Sequence, residues 1–318
     1  MGDSVRDTLP RREEPKKRLF LVEVVIRILK EKPLGAVGGI IVLLLFFVGI
    51  FANVLAPYGY NEIELASRLA GPSPEHWLGC DNLGRDMLSR IIFGARVSMI
   101  IGVCGSAIGV GLSTFIGMIC GYVGGKLDII VQRFVDAWMC FPMLFILLTV
   151  MAIVGGGIPQ IIGVLGISDG ISRSRGPRSF TFWIKESMYV EAARAIGAPT
   201  SRILLRHLLP NILPIVIIGL SMGMAGIIMA EAMLSFLGFG LPPPIPSWGG
   251  MIAGPGRQYM VLAPWMLLWP GLILSIVVFG INMLGDALRD VLDPRMRGGL
   301  GRYGAVKKKT KVKESAEA

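Results

Sequence analysis

The stretch Tyr189-Val190-Glu191-Ala192-Ala193-Arg194-Ala195-Ile196-Gly197-Ala198, continued by Arg206-His207-Leu208-Leu209-Pro210-Asn211, is a polar, Ala- and Gly-punctuated loop between long apolar runs. Residues 191–195 favour a helix and carry small side chains, so another surface can approach their backbone closely. Gly197 can take positive φ and end that helix. Thr200 or Ser201 is then expected to cap a second helix over 202–209, with Ile203, Leu204 and Leu208 on one side. Pro210 and Pro214 mark its passage into the next apolar run. A helix, a bend and a second helix suit the groove of a soluble partner. Read from periodicity alone, an amphipathic linker at a membrane surface fits equally well.

Outside this loop the chain is unusually apolar. Its 318 residues are 53% hydrophobic and 17% charged, with a mean hydropathy of +0.64. A soluble domain carries about a quarter charged residues, and a transmembrane barrel would alternate in polarity over segments of about ten. Here the apolar runs exceed the roughly 20 residues that a spanning helix needs. The expected fold is all-α and polytopic, with six transmembrane helices. The net charge of +10 sits largely in the head, with Arg11-Arg12 and Lys16-Lys17-Arg18, and in the tail, with Lys307-Lys308-Lys309. That placement points to anionic membrane lipid and excludes nucleic acid as the partner. Cys80, Cys104, Cys120 and Cys140 show no close pairing and read as small hydrophobes.

Residues 1–33 form a polar tail in which 19–29 can lie as an interfacial helix, and 34–56 is the first span, retained because it is too long and too late for a signal peptide. A segment rich in turn formers, 57–96, follows. The second span opens at Val97, the third covers 130–154, and the fifth and sixth begin near Asn211 and Pro264. The fourth is cleanly apolar only over 158–167, before Asp169, Arg173, Arg175 and Arg178, so a crossing there must be tilted or lined by protein. Arg133 and Asp136, three apart, are placed to pair. Residues 97–288 thus form the core, with the loop 186–210 inside it and 289–318 as a second polar tail. Of the 32 Lys and Arg residues, only Arg68, Arg85, Arg90, Arg96 and Arg257 fall on the side opposite the termini. By the positive-inside rule both ends are cytoplasmic and 57–96 is extracytoplasmic.

The loop quoted above resembles the EAA loop of binding-protein-dependent ABC transporter permeases over its whole length. Three further stretches are similar to the second-permease branch of the dipeptide/oligopeptide/nickel family. They are His76-Trp77-Leu78-Gly79-Cys80-Asp81-Asn82-Leu83-Gly84-Arg85-Asp86, with Ser89-Arg90 and Gly94-Ala95-Arg96; Glu231-Ala232-Met233-Leu234-Ser235-Phe236-Leu237-Gly238, with Ser247-Trp248-Gly249; and Asn282-Met283-Leu284-Gly285-Asp286, with Asp293-Pro294-Arg295. The resemblance implies an N-terminal helix added to a five-helix importer core. It also implies a second homologous permease, two cytoplasmic ATPase subunits and an extracytoplasmic solute-binding protein as partners. The implied substrate is a di- or oligopeptide, with nickel chelates, glutathione-like compounds and some sugars as alternatives in the same branch. Glu191, Ala192, Ala193, Gly197, Arg206, His207 and Pro210 would then contact the ATPase. Gly176-Pro177 and Asp169 depart from the family pattern around the fourth span.

Glu231 is the one acid inside an apolar stretch, and with Ser235 it is the candidate for a pathway or gating role. Its plainer reading is structural: near the end of the fifth span it can reach interfacial water or an Arg. Asp286 and Arg289 read as an ion pair at the end of the last span. His207 and His76 lie too far apart for a metal site. Gly121, Gly124, Gly125 and Lys126 mimic a phosphate loop, but Leu127 stands where a Mg²⁺-binding hydroxyl belongs, so a tight turn is expected. Without a nucleotide site, a Ser/His/Asp set or HExxH, the sequence points to no cofactor, no metal and no catalysis of its own. The rival from another class is an ion-coupled carrier using Glu231, which would call for paired broken helices and inverted repeats.

Overall fold

The computed structural model describes residues 20–292, side chains being described from Val24 onward. The basic clusters of the head and tail, and Asp293-Pro294-Arg295, lie outside the described residues. Helices account for nearly every element. α1 (Phe20–Glu31) and α2 (Pro33–Ile50) lead through the short α3 (Ala52–Leu55) to an irregular segment containing one 3-10 turn (Leu65–Ser67). Next come α4 (Met87–Val123), α5 (Gly125–Cys140), α6 (Met143–Val154), α7 (Ile158–Arg173), α8 (Arg175–Lys185) and α9 (Met188–Ala195). α10 (Thr200–Arg202) continues through a π segment (Ile203–Leu208) into α11 (Leu209–Phe236), and α12 (Trp248–Met251) through a second π segment (Ile252–Gly256) towards α13 (Trp265–Leu292).

Four helical stretches are long and apolar enough to cross a membrane: Pro33–Ile50, Met87–Val123, Thr200–Phe236 and Trp265–Leu292. The expected third span is not one helix. α5 and α6 meet at 90°, because Pro142 has no N–H to donate and drives Phe141 into extended backbone (ψ 137°). Counted together they make a fifth crossing. α7, with 16 residues, is shorter than the roughly 20 needed, and the chain returns along α4 through α7 and α8 together, Gly109 facing Gly166 and Gly121 facing Thr181. The second span also begins earlier than expected, at Met87 rather than Val97. Asp86 caps it by accepting the Ser89 N–H at 2.7 Å.

Helices approach closely where side chains are small, as expected when apolar packing alone must hold them together. A Cβ on Gly38 of α2 would lie 2.4 Å from the Gly280 carbonyl of α13, and one on Gly170 of α7 would lie 2.9 Å from the Gly109 carbonyl of α4. The charges that interrupted the fourth span are paired laterally. Arg173 bonds Asp169 at 2.6 Å, Arg178 clamps Asp128 through two bonds of 2.6 and 2.5 Å, and Arg175 reaches Asp136, which also takes Arg133 at 3.4 Å. Gly176 and Pro177 do not break α8, since they fall in its first turn. α1 is helical as expected and packs Val24 and Ile28 against Ala287, Val291 and Leu292 of α13. There Lys32 pairs with Asp290 at 2.6 Å, while among the described residues no ion pair joins Asp286 to Arg289.

The bundle therefore has two ends. One carries residues 57–86, α12 and the loops at Gly156 and Gly240; the other carries the turn at Gly124–Gly125 and the segment from Met188 to Pro210. Gly124 and Gly125 have φ +66° and +60°, which is the tight turn expected there.

Candidate functional site

The loop at the second end is a short helix seated on the bundle. α9 buries Val190 and Ala193 in a cluster with Met118 of α4, Ile184 of α8, and Ile203, Leu208 and Ile212. It stops at Gly197, whose φ is +79°. The Gly197 N–H bonds the Arg194 carbonyl at 2.9 Å and the Ala198 N–H bonds the Ala193 carbonyl at 3.0 Å, the paired bonds of a Schellman stop. The expected bend is thus present. The second helix differs from expectation. No side chain of Thr200 or Ser201 caps it; Pro199 occupies the cap position, and the helix runs unbroken from Thr200 to Phe236. Pro210 cannot donate to the Arg206 carbonyl, and the preceding turn relaxes to π register, with the Leu209 N–H reaching the Leu204 carbonyl.

Of the residues singled out from sequence, Ala193 is buried, His207 is half-buried beside Tyr189 with ring centroids 6.4 Å apart, and Glu191, Ala192, Gly197, Arg206 and Pro210 are exposed. The exposed face also carries large apolar side chains. Met188 is 85% and Ile196 84% exposed, with Leu205 at 63%.

At the opposite end, Glu231 departs from its expected setting. It is only 1% exposed, and among the described residues no Arg contacts it. Ser235, one turn on, donates to its Oε1 at 2.7 Å, Ser247 lies 3.3 Å from Ser235 Oγ, and Ser247 caps α12 by accepting the Gly250 N–H at 3.1 Å. The chain of three side chains ties the end of α11 to α12. Trp248, itself buried, bonds the Ile91 carbonyl at 3.1 Å and lies where a Cβ on Gly94 would be 2.8 Å from its indole nitrogen.

Ser235 and Ser247 line a cavity of about 820 Å³, whose wall also includes Asp81, Arg85 and Arg90. Glu231 lies behind Ser235. Asp81 accepts the Leu83 and Arg85 N–H groups at 2.8 and 3.0 Å through Oδ1 and the Arg85 Nε at 2.7 Å through Oδ2. Arg90 stands 3.7 Å from the same oxygen and bonds the Tyr60 carbonyl at 2.9 Å. Beside them Asp86 receives His76 at 3.1 Å. Reading by sequence left this cluster inside a motif without seeing its cavity. The one signal was the run of charges at 81, 85 and 90 just ahead of an apolar stretch.

Two family models match the chain. The binding-protein-dependent transport system inner membrane component matches residues 113–298, and the N-terminal TM domain of oligopeptide transport permease C matches 21–72. The chain is 38% identical over 272 residues to the dipeptide transport system permease protein DppC of Alkalihalophilus pseudofirmus, covering 85% of this chain and 88% of that one. It is 38% identical to the glutathione transport system permease protein GsiD of Pectobacterium atrosepticum (82% and 86% covered) and 35% identical to the oligopeptide transport system permease protein OppC of Bacillus subtilis (89% and 92% covered). In fold it is similar to a chain of the MetNI methionine ABC transporter in an inward-facing conformation, with a TM-score of 0.52, 20% identity, and 65% and 98% covered. The chain belongs to the binding-protein-dependent transport system inner membrane component family and is a membrane transport permease.

Proposed function

We propose that this permease forms, with a second homologous permease, the pathway of an ATP-driven importer of di- or oligopeptides. A binding protein delivers the peptide on one side and two ATPases drive the pathway from the other. Glutathione is itself a tripeptide, so relatives named for dipeptide, oligopeptide and glutathione transport support one substrate class.

The observation that carries the coupling role is the shape of α9. Val190 and Ala193 anchor it, while Met188, Ala192 and Ile196 stay exposed beside a glycine stop. Apolar side chains left in water are costly unless a partner covers them, so an ATPase seated here would move α9 together with α11. Gly197 would hold the angle between them while closure of the ATPases flips the pathway. The asymmetry of basic residues supports placing this end in the cytoplasm. In a cysteine-free background, a cysteine at Ser201 should then label only after permeabilisation and one at Tyr60 in intact cells; labelling of Ser201 in intact cells would reverse the orientation.

The reading is tested in vesicles containing both permeases and the ATPases. Peptide should accumulate only when ATP and the binding protein are both supplied. Uptake without ATP that follows a pH gradient and fails in Glu231→Gln would instead establish the carrier alternative. The enclosure of Glu231 behind Ser235, off the cavity wall, weighs against that alternative.

A further inference from the structure

We propose that the cavity beside α12 is a carboxylate site, in which Arg85 and Arg90 hold the C-terminal carboxylate of a passing peptide. The charge count carries this. Asp81, Arg85 and Arg90 are 4%, 7% and 7% exposed, and all three line the cavity. One carboxylate thus faces two guanidinium groups, and the charged side chains acting on Arg90 are Arg85 and Asp81. Asp86, the nearest other acid in sequence, is engaged by His76 and the Ser89 N–H and does not line the cavity.

Asp81 is already committed to two backbone N–H groups and to Arg85 Nε. A buried excess positive charge is costly unless an anion joins it. Guanidinium groups bind planar carboxylates through paired N–H bonds, which an ammonium cannot match. A volume of about 820 Å³ suits a short peptide. Identifying the carboxylate as a peptide terminus rests on the importer reading; the anion site itself does not.

The test uses the assembled permease pair with its ATPases in detergent free of anionic lipid, without binding protein. Saturation-transfer NMR compares tri-alanine with tri-alanine amide. The acid should give a signal about tenfold or more above the amide, acetate should displace it, and equimolar sulfate should not. Arg90→Gln, which leaves the Arg85–Asp81 pair intact, should remove the preference, and Arg90→Lys should restore part of it. Should Arg90→Gln fail to assemble, the acid-to-amide comparison on the unaltered complex decides alone. Equal binding of acid and amide, an unchanged preference in Arg90→Gln, or displacement by sulfate as readily as by acetate would overturn the site. Acid binding by a complex that imports no peptide would remove the importer reading and leave the site. ATP-driven import with no preference for the acid would do the reverse.

Discussion

The cluster at residues 81–90 and the α9 face, at opposite ends of the bundle, are built on opposite principles. At the end carrying residues 57–86 and α12, charged groups are enclosed and tied to one another. Asp81 and Arg85 are 4% and 7% exposed and bonded at 2.7 Å, Asp86 caps α4, and Trp265 Nε1 bonds the Cys80 carbonyl at 3.1 Å. At the end carrying α9, large apolar side chains stand in the open and Gly197 has no atom within 4 Å of an added Cβ. A buried polar network specifies its own geometry. An exposed apolar helix face on a fixed stop is finished only when something docks on it. The first end is suited to receiving a small polar ligand, the second to receiving a protein.

Breaking the enclosed end should have the largest effect. Asp81→Ala removes the partner of two buried guanidinium groups and the acceptor of two backbone N–H groups. A loss of about 3–5 kcal/mol is expected for such an uncompensated charge, read as a lower Tm of the purified complex. A fall no larger than that of a surface substitution would show that the network is not what holds this end.

The same enclosure is legible in a thiol. Cys80 is fully buried and burial pushes its thiol up to about 11 from 9.0. Because only the thiolate reacts and the side chain has no exposed surface, its alkylation at neutral pH should be at least about a hundredfold slower folded than in denaturant. A folded rate equal to the denatured one would mean the 57–86 segment opens freely.

Smaller in free energy, though not in consequence, is the change at the open end. Gly197→Val meets no neighbour but places a β-branched residue at φ +79°, costing about 1–2 kcal/mol locally. The complex should assemble, hydrolyse ATP and fail to import. Unimpaired import would show that the bend is not needed for transmission. Least of all should Glu231→Gln matter. The amide oxygen can still accept from Ser235, so a cost of about 1 kcal/mol or less and a modest drop in import are expected. Complete loss of import would give that carboxyl a role beyond tying α11 to α12.

Much of the fold was legible in sequence because an uncharged apolar run as long as a membrane is thick folds as a spanning helix and as little else. The stop at Gly197 was legible because only glycine takes that backbone without strain. The break at Pro142 is silent in sequence, since its neighbours on both sides are apolar and hydropathy averages over a single residue. The first turns of α4 were hidden by Arg90 and Arg96, whose charges suggested a loop. In the structure Arg96 bonds the Gly49 and Ile50 carbonyls and Asn53, which lie far off in sequence. The run through Pro210 was hidden because a π turn absorbs the missing N–H. The cavity could not be seen at all: residues 81–90, 156 and 235–266 meet only after the bundle is assembled.

The contrast between the two ends is tested most directly by photo-crosslinking in the purified complex of both permeases with the ATPases. Benzoylphenylalanine replaces Ile196 at the open end or Val261 at the enclosed end, exposed by 84% and 85% respectively. An adduct with an ATPase subunit is expected from position 196 and not from position 261. No ATPase adduct at 196, or as much at 261, would contradict the assignment of the α9 face as the surface through which ATP hydrolysis reaches the membrane.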